Sequence, residues 1–222
     1  MNPAAAPTDK PGRGARRRAA ILAAATEVFL EQGFEGARLE EVIRRSGGSL
    51  ATLYAQFGGK EGLFAAIIAG ICQKMVDSLP GLDDRITRTP DEALFAFART
   101  YLEQLLAPAS LALYRVVIGE GARFPELGRA VFEAGPATAA ERLAGYLRWE
   151  AERGVLVVPD PDLAARLFLE MVKGDLHVRA LLASGPAPSG PEIEACVRAA
   201  TRIFLDGIAR RPSLQARLET AV

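Results

Sequence analysis

Residues 47–57 read GGSLATLYAQF, and this stretch decides the fold. Gly47 and Gly48 make a turn, and Ser49 is a good N-cap for a short helix that Gly58 and Gly59 close. Within that helix Leu53 and Phe57 stand four residues apart, so one face is apolar and pins it to its neighbours. Thr52 and Tyr54 supply polar groups, yet the stretch holds no Lys, Arg or Asn. A helix that read a nucleic acid without charge would need its neighbours to supply the phosphate contacts that dock it.

Working outward, the N-terminal side predicts a helix over about 15–32, with Ile21, Leu22, Ala25, Val28 and Phe29 on one face at 3.6-residue spacing. Gly33 is placed to end it as a left-handed cap. A second helix is expected over about 39–46, with Leu39, Val42 and Ile43 inward. Two short helices joined by a glycine-containing turn make a helix-turn-helix. On the C-terminal side, Leu63/Phe64, Ile67/Ile68, Ile71/Cys72 and Met75/Val76 recur every four residues and predict one long helix over 60–79. Later helix starts are signposted by Thr89-Pro90-Asp91-Glu92, Asp160-Pro161-Asp162 and Ser189-Gly190-Pro191-Glu192. Breaks fall at Pro108, Pro125 and Gly135-Pro136. The run Val155–Val158 is too short and isolated for a sheet and reads as a connector. The expected class is all-α, with about nine helices.

Cations surround the uncharged helix. Arg16, Arg17 and Arg18 open the first helix, Arg44 and Arg45 end the second, and Lys60 begins the long one, where free N–H groups also favour an anion. The Tyr54 hydroxyl can reach a phosphate, and Thr52 offers a hydroxyl and a methyl. Net charge is zero, but residues 1–60 carry nine Lys/Arg against six Asp/Glu and the remainder eighteen against twenty-one. A basic front and an acidic rear place the anionic partner at the N-terminal end.

The stretch LEEVIRRSGGSLATLYAQFGGKEGL, residues 39–63, resembles the N-terminal domain of TetR-type transcriptional regulators. The likeness rests on the Gly47-Gly48-Ser49 turn, Ala51-Thr52-Leu53-Tyr54, Phe57 and Lys60-Glu61-Gly62-Leu63. LYRVVIGEGARFPELGRAVFEAGPA (113–137) and GDLHVRALL (174–182) are similar to the C-terminal domain of AefR-like members. The resemblance implies that Tyr54 and Lys60 contact phosphates and that Leu50 and Thr52 face the bases. It extends the DNA-binding set to Arg16, Arg17, Arg38, Arg44, Arg45, Ser49, Leu50, Ala51, Thr52, Tyr54, Gln56 and Lys60. Three positions depart from the family. Arg38 replaces the usual Thr or Ser cap, a loss of about 1 kcal/mol that a phosphate or guanine contact offsets. Ile43 stands where Ala is common. Leu50 stands where a polar residue is common, so thymine methyls become its natural target, unless Leu50 packs inward.

Residues 1–14 are rich in Pro, Gly and Ala and read as a disordered basic tail; the resemblance implies a DNA-binding domain over 15–62 and a ligand-binding and dimerisation domain over 63–210, with a C-terminal tail over 211–222. Its last two long helices, about 161–183 and 191–208, would pair with their copies. Leu163, Leu167, Phe168, Met171 and Val172, then Ile193, Val197, Ile203 and Phe204, give them more apolar width than one core needs, and Gly174 permits close approach. Candidate ligand contacts are Phe95, Tyr101, Tyr114, Phe124, Tyr146, Trp149 and His177, although each taken singly reads more readily as plain core. The expected partners are a near-palindromic double-stranded DNA operator, a second copy of the chain and a small apolar or amphipathic effector.

The totals narrow the alternatives. No apolar run reaches the ~18 residues of a membrane span, and the first 18 residues hold no apolar segment of a secretory signal; a cytoplasmic protein is expected. Cys72 and Cys196 sit among apolar residues and read as buried free thiols rather than a redox pair. His177 is the single histidine, which leaves little for a catalytic triad or a metal site. Neither enzyme activity nor a cofactor or metal is expected. Two rivals stay open: a carrier or enzyme that kept the fold, and a regulator controlled by a protein partner.

Overall fold

The computed structural model describes residues 12–80 and 88–208. The predicted tails therefore lie almost wholly outside the described residues. Eleven α-helices and one π-turn make up the described chain, and no strand is present among these residues. They divide into two compact units, residues 12–70 with 116–130, and residues 71–80 and 88–115 with 131–208.

In the first unit, α1 (Arg13–Gly36), α2 (Leu39–Ser46) and α3 (Leu50–Phe57) precede the start of α4 (Lys60–Ser78). Helix α1 begins two residues earlier than expected and continues one turn past Gly33. Gly33 has φ 70° and ψ 177°, so it kinks the chain instead of capping it in the left-handed form. Arg38 precedes α2 in extended conformation with no side-chain cap bond. Ser49 caps α3 by accepting from the Thr52 amide, and Gly58 closes it with φ 74° and ψ −8°. Leu53 and Phe57 are buried. Beside them Phe29, Phe34 and Phe64 pack at ring-centroid distances of 5.0–5.7 Å. Such buried aromatic pairs add to the area term and fix orientation.

Helices α6 (Pro108–Glu120) and α7 (Pro125–Phe132) each contribute residues to both units. Their corner belongs with the first unit, where Phe124 meets Phe34 edge-on at 4.8 Å and Arg123 pairs with Glu35 at 2.5 Å. Chain order puts 116–130 in the rear domain; contact places it with α1.

The second unit holds α5 (Pro90–Leu105), a π-turn over Glu133–Ala137, α8 (Thr138–Glu152), α9 (Pro161–Lys173), α10 (Leu176–Leu181) and α11 (Gly190–Ile208). The three signposted starts form as the spacing predicts. Thr89 and Glu92 make a reciprocal capping box, Asp160 accepts from the Leu163 amide, and Ser189 exchanges bonds with Glu192. Pro136 sits inside the π-turn, where its missing N–H interrupts the helical ladder. The single helix expected over 161–183 is two. Gly174, at φ 49° and ψ −137°, ends α9, and a Cβ there would lie 2.9 Å from Cys196 Sγ. The close approach that this glycine permits is thus made within the chain. Helix α8 packs on α9, and α11 packs on both α5 and α9. Phe97, Leu102, Leu143, Leu147, Phe168 and Val197 fill the core between them. The connector 155–158 is pinned by the Val157 amide donating to the Ile208 carbonyl. No single described helix is long and apolar enough to cross a membrane.

Candidate functional site

The short helix α3 presents Ala51, Tyr54 and Gln56 to solvent, while Leu50 and Thr52 are half-buried. Tyr54 is 54 % exposed with its ring free of the core. The Thr52 hydroxyl is shared with Ser49 Oγ at 3.0 Å, so both lie at the start of the helix, beside the free amides. This is an outward surface of small and hydroxyl-bearing residues, as the sequence implied.

The surrounding cations sort into two groups. Arg45 is engaged on several sides: Glu31 accepts from it at 2.6 and 2.8 Å and Glu41 at 2.8 Å, and Glu27 lies 3.7 Å away. It ties α1 to α2. Arg44 makes a bidentate pair with Glu41 at 2.7 Å, yet its side chain is 70 % exposed. Hydrogen bonds from Arg44 and then Arg45 hold the Glu41 carboxyl down at about 2. Lys60 donates to the Glu35 carbonyl at 2.7 Å and lies over the Phe34 ring at 5.1 Å. Partial burial lowers the pKa of its ammonium. It caps the end of α1 and stabilises the junction with α4. Arg17 leans on the turn, with its Nη1 3.0 Å from where a Gly48 Cβ would stand. Arg18 lies over the Phe57 ring at 5.3 Å. Arg16 and Arg38 are exposed and make no ion pair among the described residues.

The second unit contains a cavity of about 410 Å³. Its apolar lining comes from Tyr101, Phe132, Pro136, Ala137, Ala140 and Leu169, and Glu141, Asp162, Arg166 and Glu170 stand at its charged side. Tyr101 is 2 % exposed, and its hydroxyl makes no hydrogen bond among the described residues. Burial raises the pKa of that hydroxyl, with Tyr114 and Glu170 adding to the effect. Burial likewise pushes Tyr114 up to about 12. His177 is lowered to about 4, by burial first and by Lys173 second, with Glu170 opposing. Its Nε2 is buried without a partner, and its ring meets Tyr114 edge-on at 5.2 Å. Burial is the leading cause in all three groups, and Glu170 makes a smaller contribution to each.

Of the seven aromatic and histidine candidates, Tyr101 alone lines this cavity. Tyr114 lines a narrow apolar crevice with Cys72, Met75 and Leu113. Phe95 lies under the Arg198 guanidinium at 4.7 Å, and Trp149 under Arg153 at 4.1 Å beside Tyr146. Phe124 is in the first unit. Glu141, Asp162, Arg166 and Glu170 were not predicted. Only the i, i+4, i+8 spacing of the last three along α9 hinted that they share a face.

The last helices divide their apolar residues. Phe168, Val172, Ile193, Val197 and Phe204 are buried in the second unit. Leu163, Leu167, Met171 and Ile203 stay exposed, the first three as one stripe along α9, with Leu167 56 % exposed.

A family model described as bacterial regulatory proteins, tetR family, matches residues 21–67. One described as AefR-like transcriptional repressor, C-terminal domain, matches residues 92–207. The HTH-type transcriptional activator FasR of Mycolicibacterium smegmatis is 36 % identical over 76 residues, which cover 34 % of this chain. The match spans 33 % of that protein's length. Among solved structures, a regulator from Mesorhizobium loti assigned to the TetR family is 27 % identical with a TM-score of 0.81, over 90 % of this chain and 100 % of its own. The Flavonoid-responsive Regulator FrrA is 34 % identical with a TM-score of 0.77, over 89 % and 99 %.

Proposed function

The chain belongs to the TetR family of bacterial transcriptional regulators, with an AefR-like C-terminal domain, and from that premise we propose that it is a homodimeric repressor released from its operator by a small apolar or amphipathic ligand. The proposed DNA contacts are Leu50, Ala51, Thr52, Tyr54 and Gln56 of α3 or its start, with Arg16, Arg38 and Arg44 as the cations best placed to dock on phosphates. Arg45 and Lys60 then serve mainly to hold α1, α2 and α4 in register. Dimerisation is assigned to the exposed stripe Leu163–Leu167–Met171 with Ile203, because an apolar surface of that kind is costly to leave in water. A two-fold dimer reads a near-palindromic site, with its two helices about one turn of DNA apart.

The observation that carries the ligand-release reading is the cavity around Tyr101. It is the size and composition of a small-molecule site. The flavonoid response recorded in the name of FrrA supports a small effector on this fold. Helix α4 contributes residues to both units, so a ligand that shifts it changes the DNA-reading end. The coupling expected is about 1–3 kcal/mol.

The test is to select DNA fragments bound by the purified full chain and to place the selected site in a promoter transcribed in vitro. A repressor lowers transcription on addition. A rise in transcription overturns the repressor reading, and light scattering showing a stable monomer at micromolar concentration overturns the dimer.

A further inference from the structure

The cavity around Tyr101 has an apolar body and a charged rim, and the rim is unbalanced. Three carboxylates line it, from Glu141, Asp162 and Glu170, against one guanidinium, from Arg166. Arg166 follows Asp162 by four residues and precedes Glu170 by four, so its charge lies between two acids on one helix face. The cations that pair with two of the acids are not part of the lining: Arg148 reaches Asp162 at 3.2 Å and Lys173 reaches Glu170 at 2.6 Å. Glu141 makes no ion pair among the described residues. The three acids thus belong to the lining, and the two cations that pair with Asp162 and Glu170 do not. Two aromatic side chains also line the cavity, the buried Tyr101 and the exposed Phe132. Aromatic faces and carboxylates together are the surroundings that an organic cation prefers. Tyr101 lines the same space, and its hydroxyl makes no hydrogen bond among the described residues, which leaves it able to bond a ligand.

We infer that this cavity takes an amphiphile with an aromatic or aliphatic body and a protonated amine head, and that it discriminates against carboxylate-headed amphiphiles of the same shape. The inference rests on the reading of the cavity as the effector site. The body lies on Tyr101, Ala137, Ala140 and Leu169, and the head stands at the rim beside Glu141. A carboxylate head in the same pose meets the like charge of Glu141, which no described cation offsets, whereas Asp162 and Glu170 are each paired. The rim is exposed, so solvent and salt screen the preference and keep it moderate.

The experiment compares three probes of one body and three heads, 4-phenylbutylamine, 4-phenylbutanol and 4-phenylbutyrate, by calorimetry on the full chain. The amine is expected to bind about tenfold more tightly than the carboxylate, with the alcohol between them. The gap narrows in Glu141→Gln and in 0.5 M KCl, and it widens in Arg166→Gln. All three substitutions or conditions act at an exposed rim, so the fold is retained, and urea melts verify it. A carboxylate that binds as tightly as the amine, a preference that Glu141→Gln leaves unchanged, or binding of none of the three overturns the inference. Amine binding with this preference but no change in DNA affinity leaves the inference standing and overturns the release reading instead.

Discussion

Gly62, in the first turn of α4, is the most sharply constrained glycine among the described residues. A methyl group at this position would lie 1.8 Å from the Phe57 carbonyl oxygen and 3.0 Å from its carbonyl carbon. A carbon–oxygen contact relaxes near 3.3 Å, so Gly62→Ala demands a shift of about 1.5 Å. Both sides of the clash are backbone, and no rotamer relieves it. Either the last residue of α3 or the first turn of α4 must move. Overpacking of this kind costs about 3 kcal/mol at the upper end of its usual range. Alanine returns about 1 kcal/mol through its better helix propensity, so the expected net loss is about 2 kcal/mol. The functional loss is expected to be larger than that figure suggests. A reading surface must be held within about 0.5 Å of its productive geometry, and each lost base contact weakens binding by about 1–3 kcal/mol. Affinity for a selected DNA site should therefore fall at least about tenfold. Fluorescence anisotropy gives the affinity, and urea denaturation followed by circular dichroism gives the stability. Gly70→Ala is the control: the same helix, nothing within 4 Å of the new methyl, an expected gain of about 1 kcal/mol and unchanged DNA binding. A Gly62→Ala protein that binds DNA within twofold of wild type and unfolds at the same urea concentration would refute the steric argument.

Three further outcomes follow from the same structure. Leu167→Glu places a charge in the exposed stripe of α9, and sedimentation should show dimerisation weakened at least about 100-fold. Arg45→Met leaves Glu31 and Glu41 without their shared partner and should lower the urea midpoint with little change in the salt slope of DNA binding, whereas Arg38→Met should leave stability unchanged and reduce that slope by about 0.9 in anisotropy titrations against KCl. His177, lowered to about 4 in the fold against an ordinary value of 6.5, stays neutral where the unfolded chain takes up a proton, so stability falls as pH drops from 6.5 towards 4; between pH 7.5 and 5 the loss attributable to it is about 2 kcal/mol, and urea melts should show that loss in wild type and not in His177→Gln.

What was legible in the sequence was what a few neighbouring residues determine. The caps at Thr89, Asp160 and Ser189 are set by side chains three residues from their partners, so spacing alone identifies them. Leu53 and Phe57 mark their buried face by a four-residue interval. The apolar surplus on α9 was readable as an excess, and the structure assigns its halves: Phe168 and Val172 inward, Leu163, Leu167 and Met171 outward. What was not legible needed distant partners. Tyr101, Phe132, Glu141 and Arg166 share a cavity only because α5, the end of α7, α8 and α9 converge on it. Phe124 left the ligand set because the corner of α6 and α7 joins the first unit, which chain order does not reveal. Gly174 reads as a site of close approach, but the sulfur it approaches belongs to Cys196, 22 positions later.

The arginines show most clearly where charge counting stops being enough. Glu41 precedes Arg44 by three and Arg45 by four, so part of their pairing was readable along α2. Glu31, the stronger anchor of Arg45, lies 14 residues away on α1 and was not. The two arginines consequently have different options at a phosphate. An exposed pair such as Arg44–Glu41 contributes little to stability because water screens it, and Arg44 can exchange it for a phosphate with little loss. Arg45, 24 % exposed and bound to carboxylates on two helices, would release both to do the same. Lys60 is held likewise by a carbonyl and an aromatic face. The uncharged helix α3 is therefore not docked by every cation near it. In the proposed complex Arg16 and Arg38, which hold no ion pair among the described residues, and Arg44, which holds an exchangeable one, place α3 on the backbone, while Arg45 and Lys60 keep it rigid enough for Leu50, Ala51 and Thr52 to read the bases.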